Sequence, residues 1–384
     1  MVKINILGDF FAGTALTERY LSQGIEALLH KDFSGLLREA DLNILNLESP
    51  LTTSSRAAKK AGPVLKGDRR ILHALSESNF HLATLANNHM MDFGISGLED
   101  TVRGLDSHGI AYVGASLCPR TDGHVFQGHA KGIKVSIINV AEQEFGIVGD
   151  GETGVAKEDI GSIFYWLAEE RTRSDAVVLV IHGGSELYPL PSPDRFRRAR
   201  LYVDYGADAV VFHHTHVVSA FEKYNGKPIF YGLGNFLFEK AGAAKSWNTG
   251  MMAQLVINKR DDTVTGEPVF FRYENGCGVS ALDGYELDHI REHVDSLNHT
   301  MGDVGRLRDS WKDFCMERRL GALRLSNLVP RWQGFLLRQG ILKRPIFHEK
   351  SLLGGLNVLR CAAHREVATT VFEEEARARF KTLV

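Results

Sequence analysis

The chain has 384 residues, 44% of them hydrophobic and 24% charged. That is ample apolar material for a large core, and it excludes a disordered chain. Lys plus Arg number 45 against 47 Asp plus Glu, a net charge of −2, which argues against a protein built to coat nucleic acid.

The N-terminal apolar run, Ile4 to Leu7, stops at Gly8-Asp9 and is too short for a secretory signal. No stretch approaches the roughly 20 apolar residues of a membrane span. Cys118, Cys277, Cys315 and Cys361 are far apart and form no CxxC pair, so reduced, buried thiols and a cytoplasmic location are expected.

Short runs rich in Val, Ile and Leu predict strands at Ile4–Leu7, Leu42–Asn46, His81–Leu85, Ala111–Val113, Lys134–Val140, Ala176–Ile181 and Ala209–Phe212. Amphipathic spacing predicts helices between them. Asp68–Ser78 carries Ile71, Leu72 and Leu75 on one face, and Ala156–Arg173 carries Ile160, Ile163, Phe164 and Leu167. Asp194–Tyr205 follows Pro191 and Pro193, a helix-start signal. This alternation predicts a layered α/β domain. Ala220–Tyr224, Asn225-Gly226 and Pro228–Tyr231 read as a hairpin. Met251–Asn258 and Pro268–Tyr273 read as further strands, so the sheet domain spans 1–280.

Residues 281–384 read as a basic, mainly helical extension. Between positions 306 and 344 the cations are Arg306, Arg308, Lys312, Arg318, Arg319, Arg324, Arg331, Arg338, Lys343 and Arg344. They meet only Asp309, Asp313 and Glu317. Apolar residues are interleaved: Trp311, Phe314, Leu320, Leu323, Leu328, Trp332, Phe335 and Leu336. Helices packed on the sheet domain with a solvated basic face account for this pattern. A contact surface for an anionic polymer, a membrane face or an acidic partner is the functional alternative.

Five segments put metal-capable residues just after an apolar strand: Gly8-Asp9, Asn46-Leu47-Glu48, Asn87-Asn88-His89, His182-Gly183-Gly184 and His213-His214-Thr215-His216. Ligands of open α/β sheets bind beyond the carboxyl ends of the strands, where these side chains would converge. Asp9, Glu48, Asn88, His182, His214 and His216 form a mixed oxygen and nitrogen donor set without thiolate. That set suits Mn²⁺, Fe, Zn²⁺ or Ni²⁺. A two-metal site about 3.5–4 Å across needs a bridging ligand, and Glu48 has two oxygens to share. His81 and His213 are expected to be structural. Asp41, Asp175 and Asp208 sit at strand starts, where capping and turn roles suffice.

In order and spacing, Gly8-Asp9, Asn46-Leu47-Glu48-Ser49-Pro50-Leu51-Thr52, Asn87-Asn88-His89 with Asp92-Phe93-Gly94, His182-Gly183-Gly184-Ser185-Glu186, Gly206-Ala207-Asp208 leading to His214-Thr215-His216, and Tyr231-Gly232-Leu233-Gly234-Asn235-Phe236 resemble the capsule synthesis protein CapA family over roughly residues 3–240. The resemblance implies work in capsule or poly-γ-glutamate synthesis. It also implies a four-layer α-β-β-α sandwich of the calcineurin-like metallophosphatase type, with the helical extension added. Two divalent ions are implied: Asp9 and His216 on the first, Asn88, His182 and His214 on the second, Glu48 between them, and His89 beside the leaving group. The superfamily has Asp-x-His at the first strand, whereas this chain has Phe11, which weakens the first site. Glu48 replaces the usual bridging aspartate.

The mechanism expected on this resemblance is phosphoester hydrolysis, with His89 as proton donor. Asn87, Asp92, Glu186, Tyr188 and Asn235 would line the substrate side, and Gly232 and Gly234 would let the backbone approach closely. The implied partners are a capsule polymer or its phosphorylated precursor and other capsule-synthesis proteins, with membrane contact through the basic helices. The alternatives are a hydrolase or transferase acting on a polymer amide or glycosidic bond, a non-catalytic assembly or export factor, and a nucleic-acid phosphodiesterase guided by the tail.

Overall fold

The computed structural model describes residues 1–60, 62–118, 123–144, 146–148, 153–238, 240, 244–274, 277–318, 339 and 349–379. The strands are β1 (Val2–Phe11), β2 (Leu42–Leu47), β3 (Leu82–Thr84), β4 (Ala111–Val113), β5 (Ala115–Ser116), β6 (Val125–Ala130), β7 (Ile133–Ala141), β8 (Ile147–Val148), β9 (Gly154–Ala156), β10 (Ala176–His182), β11 (Ala209–His213), β12 (Phe221–Tyr224), β13 (Lys227–Phe230), β14 (Asn235–Phe238), β15 (Thr249–Asn258), β16 (Thr263–Glu274) and β17 (Gly278–Ala281). The helices are α1 (Thr14–Gln23), α2 (Lys31–Glu39), α3 (Leu72–Glu77), α4 (Gly94–Ser107), α5 (Ile160–Arg171), α6 (Pro193–Asp204), α7 (Gly284–Met301), α8 (Val304–Glu317), α9 (Glu349–Arg360) and α10 (Ala362–Arg379).

One sheet runs β17-β16-β15-β1-β2-β3-β4, with β14 also pairing with β1; a second runs β12-β13-β11-β10-β7-β6; a small third is β5-β9-β8. Within the first sheet β1 through β4 are parallel, and within the second β7, β10, β11 and β13 are parallel. Side chains alternate across each strand. In β10, Val178 and Val180 meet Ile4, Ile6 and Ile44 between the two sheets. Leu179 and Ile181 face the other way, against Ile163 and Leu167 of α5, Phe196 of α6 and Trp311 of α8. The outer face of the first sheet is covered by Phe33, Leu37, Leu72 and Leu98 from α2, α3 and α4. The layers are therefore helix, sheet, sheet, helix, the expected four-layer α-β-β-α sandwich.

Local chemistry explains the elements. Every residue of β10 is buried, as a strand covered on both faces must be. Ser192 caps α6 by accepting the Arg195 N–H at 3.2 Å, and Pro193 follows at the first helical position. Asn225 and Gly226 take positive φ (49° and 78°), the primed turn that closes the β12–β13 hairpin. Asp41, Asp175 and Asp208 accept the N–H groups of Lys3, Lys134 and Val177, each fastening a strand start.

The helical extension follows β17. Trp311 and Phe314 of α8 and Val367 and Val371 of α10 are buried in the helix layer over the second sheet. Arg306, Arg308, Lys312 and Arg318 are exposed. Lys312 pairs with Glu374 at 2.7 Å, and Arg318 lies over the Phe314 ring. Arg319, Leu320, Leu323, Arg324, Leu328, Arg331, Trp332, Phe335, Leu336, Arg338, Lys343 and Arg344 lie outside the described residues. Among the described residues, no helix is long and apolar enough to cross a membrane.

Gly8 marks the closest backbone approach near the strand ends. A Cβ there would fall 1.9 Å from the Gly234 carbonyl oxygen. Gly8→Ala is expected to destabilise the protein by about 2 kcal/mol, because neither backbone can withdraw without breaking the β1–β14 pairing. Urea denaturation of parent and variant measures this.

Candidate metal centre

The alternation of the strands decides which side chains meet. Ile4 and Ile6 face the intersheet space and Leu7 the outer helices, so Asp9 would continue on the helix side. The β1 register instead shifts between Leu7 and Asp9 against β2, and between Asp9 and Phe10 against β14. This irregularity turns Asp9 inward and returns Phe10 to the helix side. In β2, Ile44 faces inward, and Asn46 and Glu48 continue that parity. His182 shares the parity of Val178 and Val180. After β11, His214 and His216 adopt positive φ (84° and 56°), strained values for non-glycine residues that let alternate histidines of a tight loop face the same space. Gly232 permits the loop's approach, since a Cβ there would lie 2.3 Å from Thr215 Oγ1.

The six expected donors meet at this edge, all buried. Asp9 accepts the Asn46 amide at 2.7 Å and the His214 backbone N–H at 3.1 Å. His182 Nε2 lies 3.1 Å from Asn88 Oδ1 and 3.6 Å from Glu48 Oε1. His216 Nε2 lies 3.7 Å from Glu48 Oε1, and its Nδ1 lies 2.8 Å from Asn235 Oδ1 and 3.4 Å from Asp9 Oδ2. Donor atoms of Glu48, His214 and His216 lie within 4.8 Å of one another. Both carboxylate oxygens of Glu48 are buried without a hydrogen-bond partner. Buried carboxylate oxygens are ordinarily satisfied, so two orphans, of which Oε1 faces the His182 and His216 nitrogens just beyond hydrogen-bond reach, fit a cation held there. The oxygen and nitrogen donors suit a divalent ion.

The electrostatics agree. Burial, then the charges of Asp9 and Glu186, push the Glu48 carboxyl well above the usual range. Burial, then the neighbouring His214 and His213, hold His182 well below the usual imidazole value. Burial opposes charge on His214, but Glu144, Glu142 and Glu186 outweigh it and raise that imidazole. The cluster holds close carboxylates whose charge a bound cation would offset.

His89 sits beside this cluster on the loop after β3. Asn87 shapes the loop: its Oδ1 accepts the N–H groups of His89 and Met90 at 3.1 and 2.9 Å, and its Nδ2 donates to the Leu47 carbonyl at 2.8 Å. His89 Nδ1 lies 2.7 Å from Asp92 Oδ2. Lys60, absent from the expected site, pairs with Asp92 Oδ1 and donates to the Asn88 carbonyl at 2.9 Å. Burial lowers the His89 pKa against the pull of Asp92.

Of the residues expected to line the substrate side, Glu186 is exposed and lines a cavity of about 410 Å³ with His214, Arg318, Val358, His364 and Ala368. The α8–α10 helices therefore supply one wall of the approach to the cluster. Asn87 and Asp92 are buried in the His89 loop, and Asn235 stands behind His216 with its Nδ2 donating to the Trp247 carbonyl at 3.0 Å. Tyr188 is a core residue: its ring packs 4.3 Å from Phe314, and its hydroxyl bonds Ser310 at 3.1 Å. Asn87, Asp92 and Asn235 hydrogen-bond the His89 loop or His216, whereas Tyr188 packs against α8. Glu142 and Glu144, also absent from the expected site, reach His214 Nε2 at 3.9 and 3.6 Å. They follow β7 as the other donors follow their strands. His81 and His213 are structural: His81 Nδ1 accepts the Asn43 N–H at 3.0 Å, and His213 Nε2 lies 2.9 Å from the Leu7 carbonyl. Phe11 packs its ring 5.1 Å from Phe238 and offers no donor.

Residues 3–240 match the family model described as bacterial capsule synthesis protein PGA_cap. The chain belongs to that family. It is 29% identical over 251 residues to the PGA biosynthesis protein CapA of Bacillus subtilis (strain 168), covering 62% of this chain and 64% of that one. It is 27% identical over 246 residues to the capsule biosynthesis protein CapA of Bacillus anthracis, covering 62% and 60%. The aligned region thus spans less than two thirds of either relative. Among solved structures, the NAD nucleotidase of Haemophilus influenzae is similar at a TM-score of 0.42 and 14% identity, over 77% of this chain and 56% of that one. The family match covers the strands and loops that carry the six donors; the helical extension lies beyond it.

Proposed function

We propose that this family member is a metal-dependent, phosphoesterase-like hydrolase that serves synthesis of a capsule polymer of the poly-γ-glutamate type, acting on the polymer or on a phosphorylated precursor. The observation that carries the reading is Glu48, whose two buried oxygens have no partner among converging imidazoles. Asp9, Glu48 and His216 would hold one ion, and Glu48, Asn88, His182 and His214 a second. Divalent cations bound there supply Lewis acidity and positive charge for attack on a phosphate ester.

The chain's own groups do the rest. A carboxylate oxygen can only accept, so His89 Nδ1 donates in their 2.7 Å bond; once the ring has taken up a second proton, Nε2 is the nitrogen that hands it to a departing alkoxide, and the ring is left neutral. Lys60 ties Asp92 to the Asn88 carbonyl, so the proton donor and one metal ligand hold a fixed separation. Burial of the whole edge excludes bulk water and strengthens these fields.

The test is to load the metal-free protein with Mn²⁺, Fe²⁺, Zn²⁺ or Ni²⁺ in turn and assay phosphomonoesters and phosphodiesters. His89→Asn is expected to lower turnover by roughly 10²–10⁴-fold with metal content unchanged. Equal turnover in parent and variant would remove His89 from the chemistry.

Phe11 favours a second reading, a non-catalytic assembly factor, because it leaves the first ion one nitrogen short. Undiminished capsule output in a Glu48→Ala strain would support that reading.

A further inference from the structure

A second group of donors lies where the C-terminal helices close over the strand ends. Cys361 occupies the junction between α9 and α10 and is fully buried. Its thiol donates to Glu144 Oε1 at 3.2 Å and lies 3.9 Å from Glu142 Oε1. A nitrogen of His364, a carboxylate oxygen of Glu144 and the Cys361 sulfur all lie within 4.8 Å of one another. On its other side, Glu144 shares a similar group with Glu142 and His214.

We propose that Glu144, Cys361 and His364 form a cation site of their own, suited to a thiophilic divalent ion such as Zn²⁺, which fastens the α9–α10 junction over the strand-end cluster. Thiolate, imidazole and carboxylate are the donors zinc takes when three protein ligands leave a fourth position open. The strand-end cluster contains no sulfur, so the two places differ in metal preference.

Asn357 of α9 stands behind His364 with its Nδ2 2.9 Å from Nδ1, while its Oδ1 is buried without a partner. A half-turn of the amide lets Oδ1 accept the Nδ1 proton and leaves Nε2 with a bare lone pair, the amide nitrogen then taking the unpartnered place. That is the usual arrangement behind a ligating histidine. The Cys361 thiol keeps its proton on the Glu144 carboxylate oxygen at 3.2 Å. Binding exchanges that proton for the ion: the S–H bond breaks, a sulfur–metal bond forms and the proton leaves to solvent.

The experiment titrates Co²⁺ into the metal-free intact chain and follows sulfur-to-cobalt charge-transfer absorption in the near ultraviolet. The parent is expected to develop the band, and Cys361→Ser to lack it. His364 is exposed, so His364→Ala should fold normally and shift half-saturation of the band by roughly tenfold or more. Cys118 and Cys277 are exposed rather than buried as expected, and Cys118→Ser and Cys277→Ser should leave the band unchanged. A parent without the band, or an equal band in Cys361→Ser, overturns the proposal. The reading does not depend on phosphoester hydrolysis: a full band without turnover refutes only the catalytic role of the strand-end cluster.

Discussion

Glu48→Gln is expected to reduce phosphoester turnover by about a thousandfold while leaving the metal-free protein as stable as the parent. Glutamine keeps the shape but lacks the negative charge with which Glu48 would hold a cation. The lost charge stabilisation is roughly 4 kcal/mol of the barrier. The fold should tolerate the change because the Glu48 carboxyl, buried beside Asp9 and Glu186, is already pushed towards its neutral form. In the parent, saturating metal should raise the melting temperature, since an ion at 100 times its Kd stabilises by about 2.7 kcal/mol. In the variant most of that rise should vanish. Thermal melts with and without metal, read beside the assay, separate the two effects. A variant that keeps the parent's metal-induced rise and turnover would show that Glu48 holds no ion.

Arg195→Met is expected to destabilise the protein by about 3–5 kcal/mol at neutral pH. The Arg195 guanidinium is buried and bonds Glu142 at 2.7 Å and both oxygens of Glu158 at 2.7 Å. Burial raises the Glu158 carboxyl, but Arg195 and Arg198 outweigh it and hold the group below its usual value. A depressed carboxyl contributes stability that is present above its unfolded value and lost as pH falls through the folded one. Burial lifts Glu142 from its ordinary 4.5 to about 7 against the pull of Arg195, so its contribution to stability falls as pH rises between those two values and is level above them. Removing Arg195 leaves two buried carboxylates with less compensation, and protons can then neutralise them. The stability gap between variant and parent should therefore narrow from pH 8 to pH 5. Urea denaturation at both values measures it. A gap that is constant or widens towards pH 5 would mean that lost packing, not unpaired charge, sets the cost.

Where the strand-end rule was applied, the structure brings the named side chains together: Asp9, Glu48, Asn88, His182, His214 and His216 share one buried edge. The same rule reaches Glu142 and Glu144 after Lys134–Val140, so their signal was present in the sequence. Lys60 carried none. It lies in the stretch between Thr52 and Lys66, which has no apolar periodicity, and only the folded path of that loop delivers it to Asp92. The strand β14 was legible only as a glycine-containing motif, because its partner in the sheet lies more than 200 residues away in β1.

By itself the sequence determined what depends on local pattern. Apolar runs and amphipathic spacing specify the alternating strands and helices, Asn225-Gly226 specifies the hairpin turn, and the ordered motifs over residues 3–240 specify the family. Tertiary structure decided what depends on direction and on distant contacts. A register shift, which composition does not encode, turns Asp9 into the intersheet space. Packing against α8 makes Tyr188 a core residue rather than a substrate contact. The helical extension brings Cys361 to Glu144 across 217 residues of chain, a meeting set by helix packing on the second sheet and by no pattern near either residue.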